Sequence, residues 1–262
     1  MYDQASLKHW IQAGHLEPAS IESCHEAFAS HPTRALVLKH VLLDSVAEAL
    51  NRFLSHEARF ETAYGLYSEQ AKDGNLSGVS RTAWFEADED QRFYKFSDYA
   101  GAVDEFRPTP NRTTFQNFFS ALRSDECKFF FEAISGLKLG SPPLINAYSY
   151  RSGDFLSHHT DDVKGKRLSF VFYLSSGWQR KFGGLLNLID SDGEVTTVDP
   201  DYNSLVIFDV AARTKHFISP VEQCAGKRAR LTISGWFLTP YDGKERRRAE
   251  TTNCTNDHEQ FA

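Results

Sequence analysis

The strongest helical pattern of apolar residues in the chain lies between Leu36 and Leu54. Leucines and other apolar residues recur there at steps of three and four, and most of the charged residues fall on the other side. That spacing is typical of an amphipathic helix that packs one face against a core. The pattern therefore predicts a helix from Leu36 to Leu54 with a packing role.

Two shorter helices are predicted further along, each with an apolar stripe and a capping signal. The first follows Thr113 and Thr114, which are suitable N-cap residues. Its stripe comprises Phe115, Phe118, Phe119 and Leu122. The second follows Ser124 and ends at Gly136, a residue type that commonly terminates helices. Its stripe comprises Cys127, Phe130, Phe131 and Ile134.

The region between the first helix and these two is less regular. Residues 58–67 have an extended pattern, and residues 72–78 are typical of a turn-rich loop. Residues 84–99 mix aromatic residues with an acidic run and fit no single element. The acidic run comprises Glu86, Asp88, Glu89 and Asp90. We interpret it as a solvated face or, alternatively, as part of a mobile cover over a site.

From Leu144 onward the chain changes to short apolar segments between Gly, Pro and Asp turns. Strands are predicted at residues 146–155, 168–175, 184–189, 195–198, 204–210, 216–221 and 230–238. Seven or eight strands at that spacing are typical of a sandwich or barrel. Together with the preceding helices, they predict a mainly β fold with flanking helices, of the α+β class.

Composition and charge restrict the class of protein further. The chain has 262 residues, a net charge of −6 and four cysteines without a C-x-x-C pair. The length suits one domain with a substantial core, and the negative charge argues against a general nucleic-acid partner. The cysteines favour a reducing compartment over a disulfide framework or a thiolate zinc site. With no predicted signal peptide and no run that could cross a bilayer, we expect a cytoplasmic protein, or a nuclear one in a eukaryote, without a membrane partner.

The stretch from Leu156 to Asp162 contains the first candidate for chemistry. It follows a predicted strand, and residues two apart on a strand share a face, so His159 and Asp161 are expected to project side by side. This pair would supply two of the three ligands of a 2-His-1-carboxylate triad, which holds non-haem Fe(II) and leaves positions open. A surface or core pair without a metal is the alternative. His158 competes as a ligand, although it points to the opposite face. Asp162 is the alternative carboxylate.

The last predicted strand carries the second candidate. Arg230, Thr232, Ser234 and Trp236 share one of its faces, and the face is polar. An arginine inside a barrel is unfavourable unless an anion meets it. A carboxylate co-substrate would supply that anion and would suit the fork of the guanidinium, with the Tyr173 hydroxyl as a second donor. A structural salt bridge is the alternative role for Arg230.

The motifs, taken in order along the chain, resemble one enzyme family. They are His159-x-Asp161, Arg167-Leu168-Ser169-Phe170-x-x-Tyr173-Leu174, Trp178, Gly183-Gly184-x-Leu186, His216 and Arg230-Leu231-x-Ile233-Ser234-Gly235-Trp236-Phe237. This order resembles the 2-oxoglutarate- and Fe(II)-dependent dioxygenases of the prolyl-hydroxylase type, and is most similar to the branch that hydroxylates a ribosomal-protein proline. The resemblance covers about residues 148–237. The tandem second domain of longer members of that branch has no counterpart in these 262 residues, which leaves the substrate open.

The resemblance implies a double-stranded β-helix, or jelly roll, and roles for particular residues. His159, Asp161 and His216 would ligate iron, although His216 could instead be a core histidine. Arg230 would bind the distal carboxylate of 2-oxoglutarate, with Tyr173 assisting and Thr232 beside it. Tyr148 would line the same pocket, or would serve only as aromatic packing.

The resemblance also implies a reaction. Fe(II), 2-oxoglutarate and O2 would be used, with ascorbate as an optional addition, and succinate and CO2 would be released. Because Asp161 fills the position that a halide takes in related halogenases, hydroxylation is implied. The expected substrate is a prolyl residue in a protein or peptide. The alternatives are a hydroxylase of a free amino acid or small metabolite, and a barrel that binds a metal without turnover.

The resemblance also suggests how the chain is organised. We expect a single catalytic domain, with residues 1–140 as a helical or mixed support and residues 141–240 as the jelly-roll core. Residues 241–262 form a polar tail that begins with a basic run. This tail is predicted to be disordered, with a basic docking segment as the alternative. The sequence leaves the oligomeric state open.

Overall fold

The computed structural model describes residues 7–67, 78–161, 165–212 and 214–240. In this part of the chain the strands join one eleven-stranded sheet. The strands are β1 (Ala35–Lys39), β2 (Ala58–Leu66), β3 (Arg92–Ala102), β4 (Gly140–Tyr150), β5 (Phe155–His159), β6 (Lys166–Tyr173), β7 (Leu186–Ile189), β8 (Val195–Val198), β9 (Ser204–Asp209), β10 (Lys215–Ile218) and β11 (Arg230–Leu238). Their order is β1-β9-β6-β11-β4-β3-β5-β10-β7-β8, with β2 paired to β3. The sheet therefore has more strands than the pattern predicted, because β1, β2 and β3 join it from residues before 140.

Most of the helices pack together on one face of the sheet. They are α1 (Pro18–Ser30), α2 (Asp44–Arg52), α3 (Arg81–Glu86), α4 (Pro110–Leu122) and α5 (Asp125–Ser135). Apart from α3, they share the largest apolar cluster with the sheet strands. No helix in the described ranges is long and apolar enough to span a bilayer. The mainly β fold with flanking helices is confirmed.

Alternation along β6 separates the packed face of the sheet from its open face. Phe170 and Phe172 point towards the helices, where the ring of Phe131 in α5 lies 5.5 Å from that of Phe170. Ser169 and Val171 point the other way and line a cavity. Because side chains on a strand alternate between faces, the aromatic core fixes which residues reach the cavity.

The predicted helix from Leu36 to Leu54 is wrong in its first half. Residues 35–39 form β1, which pairs with β9 from Ala35 opposite Phe208 to Lys39 opposite Ser204. His40 then adopts a left-handed φ of 52°, which ends the strand. Pairing with a distant strand overrides the local helical pattern. The second half is confirmed as α2, which continues into a π-helical turn at Phe53–Glu57.

The first of the two shorter helices begins earlier than predicted. The N-cap of α4 is Thr109, whose hydroxyl accepts a hydrogen bond of 3.1 Å from the N–H of Arg112. Pro110 occupies the first turn, where its missing N–H costs nothing. Thr113 lies inside the helix, and its hydroxyl donates to the carbonyl of Thr109. For the second helix, α5, both predicted caps are confirmed, with Ser124 at the start and Gly136 at φ 70° after the end.

The predicted strand at residues 146–155 is two strands, β4 and β5, joined by a tight turn. Gly153 has a positive φ of 81° there, and the Asp154 carboxylate accepts from the N–H of Arg151 at 2.8 Å. Among the other predicted segments, residues 58–67 are confirmed as β2. Residues 84–99 divide between α3 and β3, and the acidic run between them is exposed, as a solvated face should be. The predicted loop at 72–78, apart from Gly78, and the tail at 241–262 lie outside the described residues.

Candidate metal centre

Two paired strands bring two imidazoles together at one end of the cavity. On β5 and β10, His159 lies directly opposite His216, and their ring centroids are 4.1 Å apart. Asp161 follows just beyond the end of β5, with Oδ1 3.8 Å from His159 Nε2 and Oδ2 3.5 Å from His216 Nε2. One ligand atom from each of the three lies within 4.8 Å of the others. The described residues contain no other group of three such side chains this close together.

Backbone carbonyls fix which nitrogen of each imidazole faces the carboxylate. His159 Nδ1 lies 2.9 Å from the carbonyl oxygen of Ser157, and His216 Nδ1 lies 3.2 Å from that of Thr214. A carbonyl can only accept, so both Nδ1 atoms must carry the proton. The lone pairs of both Nε2 atoms are therefore available for a metal.

The charge state of the three side chains also suits a cation. Burial, and then the neighbouring His216, lower the pKa of His159 to about 4, so its ring is neutral at neutral pH. Burial alone would raise the pKa of Asp161, but His216, His159 and Lys166 together bring it below its ordinary value. The site thus offers a neutral His159 ring and an ionised Asp161 carboxylate. These are the protonation states that metal binding requires.

Two residues without a predicted role hold the Asp161 carboxylate. The indole Nε1–H of Trp236 donates to Oδ2 at 2.6 Å, and Lys166 Nζ lies 3.5 Å from Oδ1. Lys166 Nζ also lies 3.7 Å from the centre of the Trp236 ring. Alternation had placed Trp236 on the face of Arg230, which was a usable signal. Lys166 gave no comparable signal, because it begins β6 five residues after Asp161, where alternation along one strand does not relate the two side chains.

Arg230 is buried at another part of the same cavity. It is 1 % exposed, its Nη2 donates to the Tyr173 hydroxyl at 3.3 Å, and its Nε has no hydrogen-bond partner. Its guanidinium lies 5.0 Å from the ring centre of Tyr150 and 4.8 Å from that of Tyr173. No acidic side chain of the described residues forms an ion pair with it, which contradicts a structural salt bridge there. A buried cation with a free donor fits a site for a carboxylate ligand.

Of the remaining candidates, two line that cavity and one does not. The cavity has a volume of about 120 Å³. Tyr148 and Thr232 line it together with the three metal-ligand candidates and Arg230. Tyr148 also packs edge-on against Phe96 at 5.6 Å, so its pocket-lining and packing roles coexist. Tyr173 is not among the lining residues and contacts the cavity through Arg230.

His158, the competing histidine candidate, is not brought into the site. His158 is exposed on the opposite face of β5, and its ring lies 4.2 Å from that of Phe217. Asp162 lies outside the described residues. Of the glycine pair in the motif, Gly184 packs against the buried arginine, since a Cβ there would lie 2.8 Å from the Arg230 side chain. Gly184 therefore leaves room for the buried arginine.

Comparison with known proteins agrees with this geometry. Residues 145–238 match the family model of the 2OG-Fe(II) oxygenase superfamily. Mouse prolyl 3-hydroxylase OGFOD1 is 33% identical over 130 residues, which cover 46% of this chain and 24% of that protein. The prolyl 3,4-dihydroxylase OGFOD1 of Ostreococcus tauri is 32% identical over 135 residues, covering 45% and 26%. The chain thus spans about a quarter of the length of these curated relatives.

Solved structures of prolyl hydroxylases share the fold. A Pseudomonas putida prolyl-4-hydroxylase superposes with a TM-score of 0.55 and 20% identity over 84% of this chain and all (100%) of its own. A Trichoplax adhaerens prolyl hydroxylase, solved with a hypoxia inducible factor peptide fragment, gives a TM-score of 0.56 and 16% identity over 88% and 96%. At these identities the likeness concerns the fold, and it confirms the predicted jelly roll. Residues 145–238 therefore match the 2OG-Fe(II) oxygenase superfamily, and the chain shares its fold with solved prolyl hydroxylases.

Proposed function

We propose that this protein is an Fe(II)- and 2-oxoglutarate-dependent dioxygenase that hydroxylates a prolyl residue in a protein. The proposal rests on one juxtaposition. The cavity lined by His159, Asp161 and His216 is also lined by Arg230, which is buried and forms no ion pair with an acidic side chain of the described residues. A metal site and a carboxylate site in one small cavity suit a reaction in which a 2-oxo acid is consumed at the metal.

The three ligand candidates would hold the iron. Two imidazoles and one carboxylate form the 2-His-1-carboxylate set of non-haem Fe(II) oxygenases, which leaves other positions free. Bound iron would supply the activation of O2 and the oxidative decarboxylation of 2-oxoglutarate to succinate and CO2. Trp236 and Lys166 would keep the Asp161 carboxylate turned towards the two Nε2 atoms.

Arg230 would orient the co-substrate. Its free Nε–H and remaining N–H groups can donate to the distal carboxylate of 2-oxoglutarate. The Tyr173 hydroxyl accepts from Nη2 and so holds the guanidinium in place. Thr232 lies between Arg230 and the metal end on the same strand face, where its hydroxyl could contact the same ligand. Burial raises the pKa of Tyr148, so its phenol keeps its proton and can donate within the cavity.

Apolar side chains line much of the rest of the cavity. They are Leu156, Val171, Leu186, Phe208 and Ile218. An apolar lining of low dielectric strengthens the charge-assisted hydrogen bonds between Arg230 and a carboxylate. It also limits side reactions of the bound metal with solvent.

A protein substrate is supported by the names of the relatives. The matched mouse and algal proteins are prolyl hydroxylases, and the Trichoplax structure contains a peptide fragment. A free amino acid as substrate is the competing proposal, because the metal and co-substrate sites would serve either.

The test measures succinate from Fe(II), 2-oxoglutarate and O2, with ascorbate present. Parallel reactions contain proline-bearing peptides, free proline, or no prime substrate, and mass spectrometry locates any added oxygen. We expect a peptide to stimulate succinate formation and to gain one oxygen on proline. Stimulation by free proline alone would favour the competing proposal. Absence of succinate with every substrate, from protein shown to bind Fe(II), would contradict the dioxygenase itself.

A further inference from the structure

A second cavity lies on the other face of β4. Its volume is about 260 Å³, against about 120 Å³ for the cavity of the metal centre. Tyr148 and Tyr150 line the metal-centre cavity, whereas Ser149, between them in sequence, lines the second one. Consecutive strand residues point to opposite faces, so the two cavities lie back to back and are separate.

Positive charge converges on this second cavity. Arg151, Lys227 and Arg228 line it, together with His56, and no acidic side chain does. Within the described ranges neither Arg151 nor Lys227 forms an ion pair with any residue. Arg228 donates to the carbonyl of Ala225 at 3.4 Å and lies 5.2 Å over the Phe182 ring, so it is not neutralised by an acid either. A concave surface with cations and no acids attracts an anion.

Hydroxyl groups supply the polar part of the cavity wall. Ser149 is 1 % exposed, and its Oγ has no hydrogen-bond partner among the described residues. A buried hydroxyl without a partner is unfavourable, and a ligand oxygen at this position would satisfy it. Ser175, which also lines the cavity, accepts from the N–H of Leu231 at 2.5 Å and therefore keeps its own proton free to donate. The Ser149 hydroxyl without a partner is an observation separate from the positive charge, and it favours a ligand in the same cavity.

We infer that this cavity binds a small, multiply charged oxyanion through its phosphate or carboxylate groups. The Arg151 and Arg228 guanidiniums offer paired N–H donors that match such oxygens, and Lys227 adds a point charge. The serine hydroxyls would contact the oxygens that face the sheet. With three cations and no acid on its wall, the cavity favours a ligand that carries more than one negative charge.

Calorimetric titration of the full chain, with inorganic phosphate and separately with citrate at constant ionic strength, tests the inference. We expect one site per chain. Binding should be at least tenfold weaker in Lys227→Gln and in Arg151→Gln, and unchanged within about twofold in Lys138→Gln. Lys138 is an exposed lysine away from the cavity, so the last variant makes the same change in net charge.

Ser149→Ala provides a second variant that does not change the charge. It removes the hydroxyl that has no partner and should weaken anion binding severalfold. The thermal unfolding temperature should be no lower than that of the wild type. Tighter binding of phosphate would identify a phosphate ester as the ligand class, and tighter binding of citrate a polycarboxylate. Failure of both probes to bind would overturn the inference. So would binding that is lost in Arg230→Lys but retained in Lys227→Gln, because the anion would then occupy the metal-centre cavity.

Discussion

At the scale of single residues, the same local arrangement prepares both histidines for a metal. Each donates Nδ1–H to the carbonyl of the residue two positions before it, Ser157 for His159 and Thr214 for His216. Because β5 and β10 pair at these two histidines, the two Nε2 atoms face the same carboxylate. The donor geometry is therefore set by backbone already ordered in the sheet.

Replacing His216 by Ala should remove both metal binding and turnover. It deletes one of three candidate ligands, and no described side chain is placed to substitute for it. We expect retained Fe(II) after gel filtration to fall below half, and succinate formation to fall by at least about a hundredfold, since loss of even an outer contact costs about 10–100-fold. His158→Ala is the matched control and should keep both. Full turnover by His216→Ala would remove this histidine from the metal site.

Replacing Trp236 by Phe should weaken the metal site without dismantling it. The substitution keeps the aromatic volume but removes the 2.6 Å hydrogen bond to Asp161. Removing such outer contacts lowers metal affinity or activity by about 10–100-fold. Metal titration of the variant measures the loss, and added Fe(II) should restore much of the turnover. A variant with unaltered affinity would show that Lys166 alone suffices to hold the carboxylate.

Replacing Arg230 by Lys should impair the use of 2-oxoglutarate more than metal binding. A guanidinium can give two parallel donors to a carboxylate, whereas an ammonium is a point charge on a different stem. A charge-assisted hydrogen bond contributes about 1.5–3 kcal/mol, and 1.4 kcal/mol is tenfold in affinity. We therefore expect the 2-oxoglutarate affinity to fall by about one to two orders of magnitude in a titration of metal-loaded protein. Loss of the metal with co-substrate affinity intact would make Arg230 a structural residue.

The candidate site residues differ in how far the sequence reveals them. His159, Asp161 and Arg230 could be predicted because alternation on a strand needs only neighbours two positions apart. Lys166 could not, since it lies five residues after Asp161 at the start of β6, and alternation along one strand does not relate the two side chains. A contact of that kind leaves no periodic trace.

At the scale of elements, local signals succeed where the local contacts decide the structure. The bounds of β8 and β11 match the predicted strands, as alternation and flanking turns fix both ends. The helix predicted from Leu36 to Leu54 is wrong in its first half because that half pairs with β9, which lies more than 160 residues later. The join between β4 and β5 was missed because the turn depends on Gly153 and on one side chain, Asp154.

The start of α4 gives a stability prediction at this scale. Thr109 caps the helix and its hydroxyl also donates to the Glu57 carboxylate, so it ties α4 to the turn after α2. Loss of an N-cap costs about 1 kcal/mol, within a range of about 0.5–2. Thr109→Ala should therefore lower the free energy of unfolding in urea by about 1–2 kcal/mol. Thr113→Ala, on the exposed surface of the helix, should change it by less than about 0.5 kcal/mol. Equal losses in the two variants would rule out Thr109 as the cap.

At the scale of the whole molecule, the same sheet contributes residues to both cavities and to the apolar core beneath the helices. The face of β6, β11 and β4 that meets the helices carries Phe170 and Phe237, while the other face carries Thr232 and Arg230 towards the metal centre. Strand alternation predicts which residues share a face, but not which strands become neighbours. β5 and β10 are neighbours because of the sheet topology. The family resemblance implied that topology, whereas the local pattern of residues could not predict it.

The stability of the metal-free protein as a whole should depend on the protonation of His159. Burial, and then His216, lower the pKa of this histidine from 6.5 to about 4. Between these values the unfolded chain binds a proton that the folded chain does not, so stability falls as the pH falls. Since one pKa unit corresponds to about 1.4 kcal/mol, the loss by pH 4 is on the order of 3 kcal/mol. Asp161 has a lowered pKa and loses its contribution only below its unfolded value of 3.8.

Urea unfolding of the metal-free protein at about pH 7 and pH 4.5 measures this dependence. His159→Gln carries no titrating ring, so its unfolding free energy should fall less between the two pH values than that of the wild type. His158→Gln changes an exposed histidine of the same strand and should keep the wild-type difference. If His159→Gln kept that difference as well, the buried imidazole would not be the group that titrates. The acid sensitivity would then have to come from a different part of the molecule.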